Sequence, residues 1–410
     1  MDTPTSITAH GPEDILSFIP HSLGYWPTSS LVAVTLHNKG IGATLRLDLP
    51  APHLLRDPTP LVRAVCGYLR ADGEADETLV VIFSGTGERP AAAAHDLLLV
   101  TLQTALTAAG MPIRDAWYVG TKYWRDAYCS NLECCPLPGR PVQEILDSRL
   151  NAEMVFRGST FGPEPVGVPV GLEPADKPYA LAVRRARSQW SRKLERRQGC
   201  EAQFSYVLSY WALVLAQPAG LPWRQDVERD AFLLATLRMP VLRDAVLVLS
   251  AAGQTFATES AARFRPFTLG RHPSPVLPEC GQLLEAAAAP PPEAWVSGKD
   301  DGAVPGYGEV LMGLWPAVPT WSRMDALDRV AAHLSSVGGK VVSAPLTVRG
   351  WIAWSRGRGS MAAAFFGQAL WAEPQYRLAE LLLEMDRRGT ICGWAARREA
   401  AWQHVVDGTV

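Results

Sequence analysis

A chain of 410 residues, 48% hydrophobic and 20% charged, is long enough for two or three cores and too apolar to be disordered throughout. Its formal net charge of −2 sets up no global field toward nucleic acid or an anionic membrane, so any such contact must rest on a local patch. Seven cysteines spread over this length do not resemble the disulfide framework of a small secreted protein.

In chain order, Pro12-Glu13-Asp14 opens a short amphipathic helix over 15–23, with acids in the first turn where the helix dipole favours them. Strands over 30–36 and 42–49 flank the polar Asn38-Lys39-Gly40 turn and predict a hairpin. A helix over 60–69 precedes an apolar strand over 78–83. A longer helix over 92–109 stops at Gly110, and a strand over 116–123 completes the set. Strands alternating with helices at this spacing predict an α/β N-terminal domain over 1–162, a mixed sheet with flanking helices.

Prolines and glycines crowd 163–178, which reads as a linker. Residues 179–265 read as a helical region, with Phe204, Leu208, Trp211 and Leu215 at steps of three and four. A Pro/Ala/Gly-rich stretch over 266–307 reads as a second linker, and 308–410 is helical again. There, Gly350, Ala362, Phe366, Ala369 and Pro374 are spaced 12, 4, 3 and 5 apart. Small residues at these points let two antiparallel helices approach, Phe366 fills the gap, and Pro374 starts the next helix, expected over 375–388. This predicts one tetratricopeptide-like (TPR-like) hairpin in an α-helical C-terminal region; arrays of such repeats need about three, so it is expected to dock on its neighbours.

No apolar stretch reaches the roughly 20 residues of a bilayer span. The longest, 204–216, is interrupted by Ser205 and Ser209, and Met1-Asp2-Thr3-Pro4 lacks the basic flank and apolar core of a signal peptide. A cytoplasmic protein without membrane contact is expected.

Cys129, Cys134 and Cys135 form the sharpest chemical cluster. Thiolates bind zinc at about 2.3 Å, and a turn could bring Cys129 and Cys134 to one ion. Against zinc stand the four-residue spacing, adjacent Cys134 and Cys135 side chains expected to point apart, and no histidine between His95 and His272. A reversible Cys129–Cys134 disulfide is a second use of the pair, and a tight turn packing small side chains before Pro136 is a third. Ser84-Gly85-Thr86-Gly87, between a strand and a helix, offers Gly85 and Gly87 as a phosphate cradle, although Glu88-Arg89-Pro90 does not supply the third glycine of a dinucleotide fingerprint.

His21 lies near Glu13 and Asp14 on the first helix, with Arg46 and Asp48 one hairpin away. An imidazole beside a carboxylate is the raw material of general base catalysis. The structural alternative has His21 capping the helix while Arg46 and Asp48 pair on the sheet surface. No Gly-x-Ser-x-Gly, His-Glu-x-x-His or Walker A sequence occurs, which counts against the commonest hydrolases and NTPases. Over 184–197, Arg184, Arg185, Arg187, Arg192, Lys193, Arg196 and Arg197 face a single Glu195, with Trp190 and Leu194 as anchors. Arg184, Arg185, Arg192 and Arg196 are the candidates for nucleic-acid contact, and a solvated helix explains the run equally well. Most of the 14 tryptophans fall at helical core spacing; Trp124, just before the cysteines, could line a ligand cleft.

Several stretches together resemble an actinobacterial family known as domain of unknown function 4192. They are Gly11-Pro-Glu-Asp-Ile-Leu, Pro20-His-Ser-Leu-Gly24, Pro27-Thr-Ser-Ser-Leu-Val32, Arg46-Leu-Asp-Leu-Pro50, Cys129-Ser-Asn-Leu-Glu-Cys-Cys-Pro136 with Gly139, Leu242-Arg-Asp-Ala245, and the segment from Trp354 through Pro374 to Leu382. Arg358 departs from the pattern, standing between Gly357 and Gly359 where the resemblance implies an acidic or amide residue. The resemblance brings no activity with it. The expected function is that of a non-catalytic binding or regulatory protein whose helical region engages a protein partner. The alternative is an enzyme acting on a small phosphorylated or acyl substrate through His21, Arg46, Asp48 and the cysteine turn, and the third is a nucleic-acid-associated protein.

Overall fold

The computed structural model describes residues 9–37, 40–50, 53–84, 92–162, 174–218, 223–264, 267–268, 270–279 and 305–402. They divide into two compact units, one over 9–162 and one over 174–402.

The N-terminal unit opens with α1 (Pro12–Leu23), which has Pro12 in its first turn and ends at Gly24. Gly24 takes the left-handed φ of 82° and returns its N–H to the carbonyl of Pro20. The sheet strands are β1 (Ser30–His37), β2 (Gly40–Asp48), β3 (Glu77–Phe83), β4 (Ile113–Val119), β5 (Tyr123–Asp126) and β6 (Arg140–Pro141). The helices are α2 (Thr59–Leu69), α3 (Ala92–Ala108), α4 (Gln143–Leu146) and α5 (Arg149–Phe156). The sheet order is β2-β1-β3-β4-β5-β6. Only β3 and β4 pair in parallel; β1 is antiparallel to both β2 and β3, and β5 to both β4 and β6. The predicted mixed sheet is therefore present.

Strand alternation splits the apolar residues cleanly between two faces. Leu31, Ala33, Val80, Ile82, Ala116 and Tyr118 pack against α2 and α3 through Val65, Leu69, Leu98 and Leu102. Val32, Val34, Leu79, Val81, Trp117 and Val119 pack on the other face against Leu16 and Ile19 of α1 and Ile145 of α4. One expected element divides: the strand predicted over 116–123 is two antiparallel strands. The chain reverses at Gly120-Thr121-Lys122, where the Gly120 N–H bonds to the carbonyl of Tyr123.

The second unit is helical: α6 (Lys177–Glu195), α7 (Glu201–Leu215), α8 (Val227–Arg238), α9 (Pro240–Ala252), α10 (Gln254–Phe264), α11 (Tyr307–Leu311), α12 (Trp321–Ser335), α13 (Ser343–Ser355), α14 (Gly359–Ala372) and α15 (Arg377–Arg387). The stretches read from the sequence as two successive helical regions contribute to one core, in which Trp211, Phe232 and Leu247 share a cluster with Leu327, Trp351 and Trp394. Among the described residues no helix is long and apolar enough to cross a membrane.

The helix pair foreseen from small-residue spacing is α13 and α14. A Cβ placed on Gly350 would stand 2.3 Å from Cε1 of Phe366, so the ring occupies the space a larger residue would need. Pro374 does not open the next helix. Gln375 takes a left-handed φ of 72°, and α15 begins only at Arg377. Gly350→Ala is expected to lower the thermal midpoint by roughly 3–10 °C, the cost of overpacking a closed helix contact in a unit of this size. Adding Phe366→Leu should recover part of that loss in differential scanning calorimetry. An unchanged midpoint in the single variant would show that the contact is looser than drawn.

Candidate functional site

The cysteine turn hangs from the edge of the sheet by both ends. On the β4–β5 hairpin, Trp117 faces Asp126 and Val119 faces Trp124. Asp126 ends β5 by turning its carboxylate back on the chain: Oδ1 accepts from the amides of Tyr128 at 2.7 Å and Cys129 at 2.9 Å. The Asn131 side chain accepts from the Glu133 amide at 2.8 Å, and the Cys135 amide donates to the Asn131 carbonyl at 2.9 Å, closing one helical turn. The chain then re-enters the sheet as β6, with Arg140 opposite Trp124. Gly139 permits that return, because its φ is 142° and a Cβ there would lie 2.6 Å from the Trp124 carbonyl oxygen.

This backbone gathers all three cysteines. Their Sγ atoms lie within 4.8 Å of one another, and Cys129 and Cys134 stand 3.3 Å apart. The expectation that Cys134 and Cys135 point apart is thus corrected. These residues sit at the end of a turn, where successive side chains are not opposed as they are along a strand. Hydrogen bonds from Cys135 and then Cys134, followed by a backbone contact at Asn131, pull the Cys129 thiol below its ordinary pKa. Burial, reinforced by the neighbouring sulfurs, pushes Cys135 up to about 12. Among the described residues, no histidine or carboxylate completes the group as a fourth ligand.

The sulfurs border a cavity of about 220 Å³ whose walls include Trp117, Trp124, Arg125 and Arg140. Trp124 is 2% exposed, and its indole N–H has no acceptor. The Arg140 guanidinium lies 4.8 Å from the centre of that indole and is held there by Glu144 at 2.7 Å and Glu13 at 3.6 Å. Arg140 also borders a larger, open depression of about 460 Å³ that includes Glu13, Asp14, Glu144 and Asp147.

The other candidates do not join this site. His21 is not beside a carboxylate. It is 5% exposed, with Nδ1 at 2.9 Å from Ser159 Oγ and Nε2 at 2.9 Å from Asn151 Oδ1. Phe161 meets the ring edge-on. Asp14 faces elsewhere, accepting the amides of His10 and Leu150. Arg46 pairs with Asp48 at 2.6 Å on β2 and donates from Nε to Ser30 Oγ. In the sheet order β2 is four strands from β5, roughly 19 Å away. His21, Arg46, Asp48 and the cysteines therefore do not share a cleft. Gly85 and Gly87 lie outside the described residues. On α6, Arg184 is tied to the Val337 carbonyl at 2.8 Å, while Arg185, Arg192 and Arg196 are exposed.

The helical unit holds a buried ionic centre that sequence reasoning missed. Asp230 is fully buried, with His333 Nε2 at 2.7 Å, Arg229 Nε at 2.9 Å, the Tyr179 hydroxyl and the Trp223 indole around it. Burial alone would raise its pKa, but the His333 hydrogen bond and the Arg229 charge hold it below the ordinary carboxylate value. Arg229 is its neighbour on α8, while the other partners come from α6, the segment before α8, and α12, so no local pattern announces the centre.

A family model described as "Domain of unknown function (DUF4192)" matches residues 12–266 and 318–390, most of the chain, and the chain belongs to that family. No curated protein and no solved structure matches it.

Burial lowers the His21 pKa below its ordinary 6.5. The unfolded chain therefore takes up this proton first as pH falls, so the histidine's contribution to stability is present above about pH 6.5 and is lost below it. The melting temperature is expected to fall between pH 7 and pH 5, and to fall less steeply in His21→Gln. Equal slopes would detach His21 from the acid response.

Proposed function

We propose that this member of the DUF4192 family is a non-catalytic binding and regulatory protein whose working centre is the three-thiol turn of its N-terminal unit. The observation that carries this reading is the convergence of Cys129, Cys134 and Cys135 on one point beside a cavity. Three sulfurs this close bind thiol-seeking ligands multiply, which no isolated cysteine does. Cys66, Cys200 and Cys392 are buried and offer no comparable cluster. A cytoplasmic setting suits the centre, because its reducing poise keeps such thiols free. The placement of His21 among neutral partners, and of Arg46 and Asp48 at the opposite sheet edge, supports binding over catalysis.

Phenylarsine oxide tests the convergence, since it condenses with two neighbouring thiols to a cyclic dithioarsinite and releases one water. Native mass spectrometry of the reduced full chain is expected to show one arsenical per molecule, resistant to a monothiol and absent from the Cys129→Ser/Cys134→Ser double variant. A wild-type chain that takes up none would overturn the thiol-centre reading.

A second observation supports the helical unit as the part that engages a protein partner. Trp371, near the end of α14, is 89% exposed, and tryptophan is the residue type most enriched among interface anchors. Trp371→Ala is expected to leave the melting temperature unchanged and to abolish a discrete cross-linked adduct formed by the full-length protein in its own cells. An adduct that persists in the variant would remove Trp371 from the interface.

A further inference from the structure

We propose that Cys129, Cys134 and Cys135 bind one thiophilic divalent ion of the zinc class as three thiolates, leaving the fourth coordination position to an exchangeable small donor such as water. This rests on the thiol-centre reading above and gives that centre its ligand class.

Distance is the first support. A tetrahedral ion with metal–sulfur bonds of about 2.3 Å needs its sulfur pairs about 3.8 Å apart. Cys129 and Cys134 are 3.3 Å apart, and no pair among the three exceeds 4.8 Å. Shifts of about 1 Å in side chains on an accessible turn reach the required triangle. The donor set is all sulfur, which selects soft and borderline ions over magnesium or calcium. Binding exchanges three thiol protons for one ion, with the protons passing to solvent, and needs no oxidant or reductant.

The second support is Trp124. Elsewhere in the chain Trp190, Trp211, Trp321, Trp351, Trp354 and Trp394 each donate the indole N–H to an oxygen at 2.8–3.0 Å. Trp124, buried like all of these except the half-buried Trp321, lines the cysteine cavity with its N–H unanswered. A metal-bound thiolate, or the donor atom of the fourth ligand, would supply the acceptor this N–H lacks, and hydrogen bonds to the ligands of a metal accompany such centres generally.

Charge is the third. Three thiolates on a divalent ion carry one net negative charge, and Arg125 stands in the wall of the same cavity, beside an Arg140 whose charge is shared with Glu144 and Glu13. Arg125 already donates to the Cys129 carbonyl at 3.3 Å. Asp126, the carboxylate of that wall, has Oδ1 engaged by two backbone amides. Gly139 and the β5–β6 pairing fix both ends of the turn, so the ion does not have to organise a free loop.

Cobalt(II) is the probe, because thiolate ligation gives it a near-ultraviolet charge-transfer band whose intensity follows the number of sulfurs. Titration of the reduced, metal-free, full-length protein is expected to saturate at one ion per chain, and zinc should bleach the band. Cys129→Ser, Cys134→Ser and Cys135→Ser should each remove about a third of the intensity and weaken binding at least tenfold. Trp124→Phe should keep the band but weaken binding by a smaller factor. If a serine variant loses its native melting temperature, the alanine variant at that position replaces it. No band at saturating cobalt, in protein that still takes up the arsenical, would refute the metal while leaving the thiol centre standing. A band at full intensity in Cys135→Ser would refute three-thiolate ligation. Loss of both cobalt and arsenical binding in the wild-type chain would overturn the two readings together.

Discussion

Burial of β1 and β3 on both faces is the constraint from which the N-terminal unit follows. Every residue of β1 but the last is buried, and so is every residue of β3 but the first. Such strands cannot leave a face to water, so helices must cover the sheet on both sides. The chain meets this demand with α2 and α3 on one face and α1 and α4 on the other. Once both faces are closed, accessible chemistry is confined to edges and loops. The β2 edge carries the Arg46–Asp48 pair, and the far edge carries the cysteine turn.

That far edge shows how a short strand can serve a site. β6 contributes two residues, too few to template another chain, yet it anchors the return of the turn opposite Trp124. Asp126 fixes the departure from β5 and Gly139 the re-entry, so the 12 residues between them form a closed loop on a rigid base. Each element has a local physical reason, and their joint effect is to bring three sulfurs together at a cavity that Trp124 also lines.

Legibility in the sequence followed the range of the interactions involved. The strands of β1 and β3, the long helix α3 and the α13–α14 pair declare themselves through periodicity and small-residue spacing, which are local signals. The β4–β5 reversal was hidden because Gly120-Thr121-Lys122 interrupts an otherwise continuous apolar and aromatic run. The cysteines were legible as a cluster, but their convergence depended on a turn set by Asn131 and Asp126 side chains, which a spacing rule ignores. The partners of His21 are out of reach of the sequence for a related reason. Its partners Asn151 and Ser159 arrive from more than a hundred residues away, while Glu13 and Asp14 are close only in sequence. Asp230 has no mark in the sequence, since an acid in the first turn of a helix reads as a surface acid and the His333 and Tyr179 that enclose it come from other elements.

Asp230 and Trp124 together separate scaffold from site. A buried polar group is expensive unless its hydrogen bonds are met, so the interior of a folded chain is driven to complete its own contacts. Asp230 satisfies this fully, with a histidine, an arginine, a tyrosine and a tryptophan around one carboxylate. His21 does so with both ring nitrogens. Networks finished in this way hold elements in register and have nothing left to offer a ligand. The cysteine cavity is different: a buried indole N–H lacks its acceptor and three sulfurs face one another without a covalent bond. Where a protein leaves polar groups unfinished beside an accessible cavity, the missing partner comes from outside the chain. The ligand atoms available there are sulfur, the donor type that suits a soft or borderline cation.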